Sequence, residues 1–216
     1  IDVVHLNHHV NEIPNIPYIQ TMHGNLNHAM ELDENTVFVS KNHAARFGSD
    51  CYVHNGIDPA DYGTPILNTD AVKNYFHFLG DAAWRVKNVK GAIQIAKMAH
   101  QKLRVIGGVR FNFNQGIRLT FDTHVRFDGM QGGAEKNEII KYSKGLIFPV
   151  RWHEPFGLAL IESLYFGCPV FGTPYGSLPE IITPEVGYLT TTASGLADAV
   201  ANLNDFNRKK CHEYVM

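Results

Sequence analysis

Short apolar runs alternate with longer stretches of helical period along most of the chain. Val3 to Leu6, Pro17 to Met22, Thr36 to Ser40 and Asp50 to His54 read as strands, and Lys41 to Phe47 as a short helix stopped at Gly48. From Ile57 to Asn74 the pattern breaks at Asp58-Pro59, Gly63, Pro65 and Asn68, which marks a linker. The alternation then resumes with strand Tyr75 to Leu79, helix Val89 to Lys102, strands Leu103 to Ile106 and His124 to Phe127, and helix Ala134 to Tyr142. Strand Gly145 to Val150, helix Gly157 to Phe166, strand Pro169 to Phe171 and helix Gly195 to Leu203 follow. Strands separated by helices predict an α/β fold, a parallel sheet covered on both faces. The helix carrying Ala92, Ile93, Ile95, Ala96, Met98 and Ala99 is apolar on more than one side, as a helix packed on a sheet must be. Phe111, Phe113 and Phe121 fall in an irregular stretch with Asn112, Asn114 and Gly116, where anchoring a loop is expected over stacking on a base.

Composition narrows this picture. The 216 residues, at roughly 150 per domain, amount to about one and a half domains. With 44% hydrophobic and 19% charged residues the chain can bury a core and is neither disordered nor fibrous. Nineteen basic against twenty-one acidic side chains exclude the broad positive field of a non-specific nucleic-acid binder, while leaving room for a local basic site. Cys51, Cys168 and Cys211 are odd in number and form no C-x-x-C pair, so a disulfide framework or cysteine zinc site is not expected, and the chain reads as cytoplasmic. No run approaches the ~18 apolar residues of a membrane span. His5, His8 and His9 do not share one strand face and no carboxylate or cysteine joins them, so no metal site is expected. The first residue is Ile1, and Asp2 to Leu6 reads as a strand already under way, so the chain reads as starting in mid-fold.

The segment richest in chemistry is His153-Glu154-Pro155-Phe156-Gly157-Leu158-Ala159-Leu160-Ile161-Glu162-Ser163-Leu164. It follows the apolar run Leu146-Ile147-Phe148-Pro149 and opens a helix that stops at Gly167. The free N–H groups of Gly157, Leu158 and Ala159 therefore point beyond the strand's carboxyl end, where an anion is favoured. Gly157 lets a ligand approach the backbone. Glu154 precedes the helix and Glu162 lies inside it, so both can flank a ligand at its start. An acidic residue near bound phosphates typically takes sugar hydroxyls. Ile161 and Leu164 beside Glu162 leave little room for a solvated face.

The two glutamates with seven residues between them, Pro-Phe-Gly among these, followed by Gly167-Cys168-Pro169-Val170 and Gly172-Thr173-Pro174-Tyr175-Gly176-Ser177-Leu178-Pro179-Glu180-Ile181, closely resemble the retaining family-four glycosyltransferases of the GT-B fold. Asn55-Gly56-Ile57-Asp58 resembles the close of that family's first domain. Thr21-Met22-His23-Gly24 resembles its histidine turn, and Asp2-Val3-Val4-His5 a mid-domain strand. The resemblance implies two Rossmann-like domains, the first represented by its back part (residues 1–60), a linker (61–74), and a nearly complete nucleotide-sugar-binding domain (75–216) ending within a helix that normally crosses back to the first.

The resemblance also assigns roles. Glu154 would contact the transferred sugar, Glu162 the ribose, and the backbone amides of Phe156, Gly157 and Leu158 the sugar and diphosphate. The family neutralises the diphosphate with an arginine and a lysine. Asp81 stands at the arginine position, Lys90 before Gly91 matches the lysine, and Arg85 or Lys87 stands in for the arginine. Cations at a helix N-terminus oppose the dipole, which an anionic partner would relieve. Phe127 and Asp128 resemble the base-binding strand end, where Asp128 reads equally as a turn residue. His23 would face the cleft and the transferred sugar. No metal or other cofactor is implied. The implied partners are a nucleotide-diphosphate sugar donor and a sugar, lipid-linked or other hydroxyl acceptor, with no nucleic acid. Peripheral association with the inner face of a membrane would run through the part of the first domain outside this sequence. A nucleotide-sugar-binding module without turnover is the competing reading. A phosphorylase or an epimerase of the same fold is disfavoured by the complete Glu-to-Glu motif.

Overall fold

The structure, a computed structural model, describes residues 3–7, 15–26 and 32–216. Asp2, His8 and His9, drawn on above, lie outside the described residues. Three parallel strands, β1 (Val4–Leu6), β2 (Tyr18–Met22) and β3 (Thr36–Phe38), form a first sheet in the order β1-β2-β3. Helix α1 (Lys41–Arg46) follows, its N-cap Ser40 accepting from the His43 N–H. The expected strand at Asp50 to His54 is not one. Only Tyr52 bridges to Phe38, because residues 51–54 are exposed and no core rewards a longer ladder. Between Ile57 and Asn74 the chain makes two single 3₁₀ turns, Pro59–Asp61 and Thr69–Ala71, capped by the Asp58 and Asn68 side chains.

The second sheet opens with β4 (Phe76–Leu79), helix α2 (Val89–Met98) and β5 (Leu103–Ile106). Helix α2 was expected to run to Lys102. It ends early because His100 takes the left-handed conformation (φ 54°), a stop that no glycine advertises. A ribbon of β6 (Phe111–Asn112) and β7 (Arg118–Leu119) comes next, then β8 (Val125–Phe127), α3 (Gly133–Lys141), β9 (Leu146–Phe148), α4 (Leu158–Tyr165) and β10 (Val170–Gly172). The short α5 (Leu178–Ile181), strand β11 (Gly187–Leu189), α6 (Ala193–Ala201) and α7 (Arg208–Val215) complete it. The expectation that Phe111, Phe113 and Phe121 anchor a loop is corrected: strand alternation turns all three rings outward, with Phe113 71% and Phe121 74% exposed.

Six parallel strands run in the order β11-β10-β9-β4-β5-β8. Helices α2 and α6 bury Ala92, Ile95, Ala96, Leu196 and Val200 against one face, over Phe76, Phe78 and Phe171. Helices α3 and α4 bury Ile140, Leu160, Leu164 and Phe166 on the other. This is a doubly wound, Rossmann-like arrangement of the GT-B type, and winding reverses between β4 and β9. Sheets of this kind leave a crevice outside the carboxyl ends of the two strands at that reversal. The Arg208 side chain ties the opposite side of the layer, donating to the carbonyls of Ile66, Lys141, Ser143 and Phe166 near the ends of α3 and α4, where the helix dipoles favour a cation.

His77 stands at the centre of β4 with both ring nitrogens bonded, Nδ1 to Ser143 Oγ (2.8 Å) and Nε2 to Ser163 Oγ (2.9 Å). Ser163 spends its proton on the Ala159 carbonyl (2.6 Å), so Nε2 donates to it and Nδ1 accepts from Ser143. Burial, reinforced by Arg208, holds the His77 pKa down to about 3. Burial and Arg46 hold His43 at about 4. The unfolded imidazoles protonate below ~6.5 and the folded ones do not, so the unfolded state binds more protons through that window and stability falls as pH falls. From pH 7 to 5 the urea midpoint should drop by an amount equivalent to about 2 kcal/mol for His77 alone. His77→Gln should flatten this slope, and an unchanged slope would refute the assignment.

Candidate functional site at the sheet's switch point

The loops leaving β4 and β9 meet at the crevice. Asn88 Nδ2 donates to the Pro149 carbonyl (2.7 Å) and the Arg151 N–H to the Val86 carbonyl (2.7 Å), so the two loops are joined across it. The loop after β9 then has its carbonyls taken one by one. His153 O accepts from Asn25 Nδ2 (2.8 Å), Glu154 O from the Ser177 N–H (3.0 Å) and Pro155 O from Ser40 Oγ (2.6 Å). Phe156 O accepts from Ser177 Oγ (2.6 Å) and Gly157 O from the Leu160 N–H (2.9 Å). With its acceptors engaged, the loop leaves donors. Among the described residues no protein acceptor takes the N–H of Phe156, Gly157, Leu158 or Ala159. These groups open α4, whose positive end adds to them.

Two glycines make this backbone possible. Gly157 has φ +85°, which only a residue without a side chain adopts freely. At Gly176 a Cβ would stand 2.2 Å from Glu154 N and 2.3 Å from Glu154 O, so this close approach seats the Glu154 backbone.

Both glutamates are buried and paired. Glu154 is 6% exposed and receives Lys87 Nζ on its two oxygens (2.8 and 3.0 Å) and Trp152 Nε1 (2.7 Å). Lys87 Nζ also stands 4.8 Å from the Trp152 ring centre. Glu162 receives Lys136 Nζ (2.6 Å) and the Tyr62 hydroxyl (2.7 Å), both on Oε1. No contact falls on Oε2 among the described residues, so that oxygen can accept from a ligand. Burial, and then Glu162, raise the Tyr62 pKa, which keeps its hydroxyl a donor.

Of the three cations expected at the diphosphate, only Lys87 pairs with Glu154. Arg85 and Lys90 are exposed and line a cavity with Asn88, Arg118 and Arg151. Asp128 has every polar group engaged: its carboxylate by Arg104 (2.6 Å) and Arg126 (2.9 Å), its N–H by Val105 O and its carbonyl by Gln131. These bonds knit the end of β8 into its neighbours. Phe127 beside it is half-buried. His23 is exposed at the end of β2, two residues before Asn25, whose bond to His153 O carries that turn to the crevice. The first sheet docks here through other bonds as well, since Glu180 accepts from the Lys41 and Asn42 N–H groups at the start of α1. No sequence motif assigns a role to Trp152, Tyr62, Lys136 or Ser40. Trp152 adjoins the motif, but Tyr62 and Lys136 meet Glu162 only through the fold. His5 bonds Thr21 Oγ1 (2.7 Å). Among the described residues no three His, Cys, Asp or Glu side chains gather to hold a metal, and no helix is long and apolar enough to cross a membrane.

A doubly wound sheet with an open helix start at its switch point places the protein among the Rossmann-like α/β proteins of the GT-B fold. Residues 64–214 match the family described as glycosyl transferases group 1, and the chain belongs to that family. Sucrose synthase 2 of Tulipa gesneriana is 38% identical over 72 residues, which are 31% of this chain and 9% of that protein. AviGT4, a glycosyltransferase involved in avilamycin A biosynthesis, superposes with a TM-score of 0.76 at 18% identity, over 100% of this chain and 69% of that one. HepE from Anabaena, solved in complex with UDP-glucose, gives 0.66 at 15%, over 93% of this chain and 66% of that one. The chain thus spans only part of each of these proteins.

Proposed function

We propose that this chain forms the donor-binding side of a retaining glycosyltransferase, which moves a sugar from a nucleotide diphosphate to an acceptor hydroxyl in polysaccharide or glycoconjugate biosynthesis. The observation that carries this reading is the loop 153–157, whose carbonyls are all engaged and whose N–H groups are left open between two buried glutamates. In this reading residues 1–60 belong to an acceptor-side domain and 75–216 to the donor domain. The N–H groups of Phe156 to Ala159 take the diphosphate with Lys87 beside them, Glu162 Oε2 takes a ribose hydroxyl, and the base extends toward Phe127. Glu154, held by Lys87 and Trp152, meets the transferred sugar, and His23 faces it from the other side.

During transfer the anomeric C–O bond breaks, and its electron pair leaves with the diphosphate. The acceptor oxygen bonds to the same carbon from the same face and gives its proton to the departing phosphate. The leaving oxygen gains charge in the transition state, so donors already fixed around it lower the barrier without reorganising. The uridine nucleotide bound to HepE makes UDP-glucose the first donor to test. Turnover with a panel of UDP-, GDP- and ADP-sugars, with NMR of the product, should give the donor's own anomer. An inverted product would overturn the retaining assignment. Tight binding of every donor without product would instead favour the binding-module reading.

A further inference from the structure

We propose that the β6–β7 ribbon docks this protein onto an anionic phospholipid surface. The ribbon is amphipathic in the reverse of the usual sense. Phe111 pairs with Leu119 and Asn112 with Arg118, so odd and even positions face opposite ways. The odd residues Phe111, Phe113, Ile117, Leu119 and Phe121 are 48–74% exposed, whereas the even residues Asn112, Arg118 and Thr120 are only 5–8% exposed. Five large apolar side chains gathered on the outer face of one ribbon call for an apolar neighbour.

The charge beneath the ribbon selects that neighbour. A cavity of about 400 Å³ lies under it, lined by Arg85, Lys90, Arg118 and Arg151 and by no carboxylate. Arg118 donates to Thr120 Oγ1 (2.9 Å) and Val109 O (2.7 Å), but its Nε has no partner and no carboxylate pairs with it among the described residues. A buried guanidinium without a counter-charge is costly, and an anion at the cavity would relieve it. Arg85 sits against Gly116 at the ribbon's tip, where a Cβ would come 2.5 Å from Nη2. Asp122, the acid of the 109–122 segment, is paired with Lys97.

Apolar groups of an interfacial element sink roughly 5–10 Å into the headgroup boundary. The cations of the cavity lie behind the ribbon, on the side away from its apolar face. The net charge of -2 gives no general attraction to anionic lipid, so the local cations and the apolar face must act together.

The test is co-sedimentation with vesicles of phosphatidylcholine alone and of phosphatidylcholine mixed with phosphatidylglycerol. Binding is expected to the mixed vesicles, weakened by salt. Phe113→Ser/Phe121→Ser should abolish it, and Lys90→Ala/Arg151→Ala should weaken it at least ~tenfold, at about fivefold per cation. All four of these side chains are exposed, so urea midpoints should stay at the wild-type value. Equal binding by the Phe variant would overturn the proposal. So would saturable binding of glycerol phosphate with no vesicle binding, which would mark a soluble anion site. Sedimentation showing a dimer that the Phe variant dissociates would assign the ribbon to a second copy of the chain instead.

Discussion

Glu162→Gln is expected to weaken UDP binding by roughly 10- to 100-fold, the loss of a charge-assisted hydrogen bond of about 1.5–3 kcal/mol. In the wild type, Oε1 is occupied by Lys136 and Tyr62, and Oε2 carries the remaining acceptor capacity. In the glutamine variant the amide oxygen is drawn to Lys136 and Tyr62, which turns an NH2 toward the crevice where a ribose hydroxyl needs an acceptor. The same change leaves the Lys136 ammonium, with 15% of its side chain exposed, facing a neutral group, so a stability loss accompanies it. Lys136→Met in the same chain removes the stranded cation and should restore the urea midpoint while nucleotide affinity stays low. Calorimetric titration with UDP separates the effects. Wild-type affinity in a folded Glu162→Gln protein would remove Glu162 from the ribose role.

The elements that sequence pattern captures are those whose signal is local. Leu103 to Ile106 is a strand with the expected bounds, bracketed by a polar turn and Gly107, and fully apolar runs such as Leu146-Ile147-Phe148 are buried on both faces as parallel strands are. Where an end depends on a rare backbone state, as at His100, composition carries no trace of it. The three-residue strand at Gly187 and the four-residue helix at Leu178 are too short for periodicity to register. The same division runs through the site. The helix start at Gly157 and the spacing of Glu154 and Glu162 are legible because they lie within one segment. The partners of those glutamates are not, since Lys87 reaches Glu154 across 67 positions and Tyr62 reaches Glu162 across 100. Lys90, which matches the family lysine by its glycine neighbour, opens onto the ribbon cavity, and Lys87 three residues earlier turns inward to Glu154. Sequence finds the basic turn, and only packing distinguishes the two lysines within it.

That distinction can be measured. Lys87→Met should destabilise the protein by about 3–5 kcal/mol, because it strands a buried carboxylate that keeps only Trp152 Nε1 as a donor. Glu154→Gln should cost less, since an amide still accepts from Lys87 and Trp152 while the ammonium loses its counter-charge. Combining the two removes both charges, so stability should recover and give a coupling energy of at least ~1–2 kcal/mol in urea titrations. Because the pair is buried, this coupling should change little between low and high salt, unlike that of a surface pair. Turnover is the decisive readout. If Glu154 contacts the transferred sugar or Lys87 the diphosphate, the double variant regains stability and stays inactive, because methionine and glutamine restore packing without either charge. If activity returns with stability, the Lys87–Glu154 pair only holds the loop, and the sugar-contacting role must pass to another residue of the crevice.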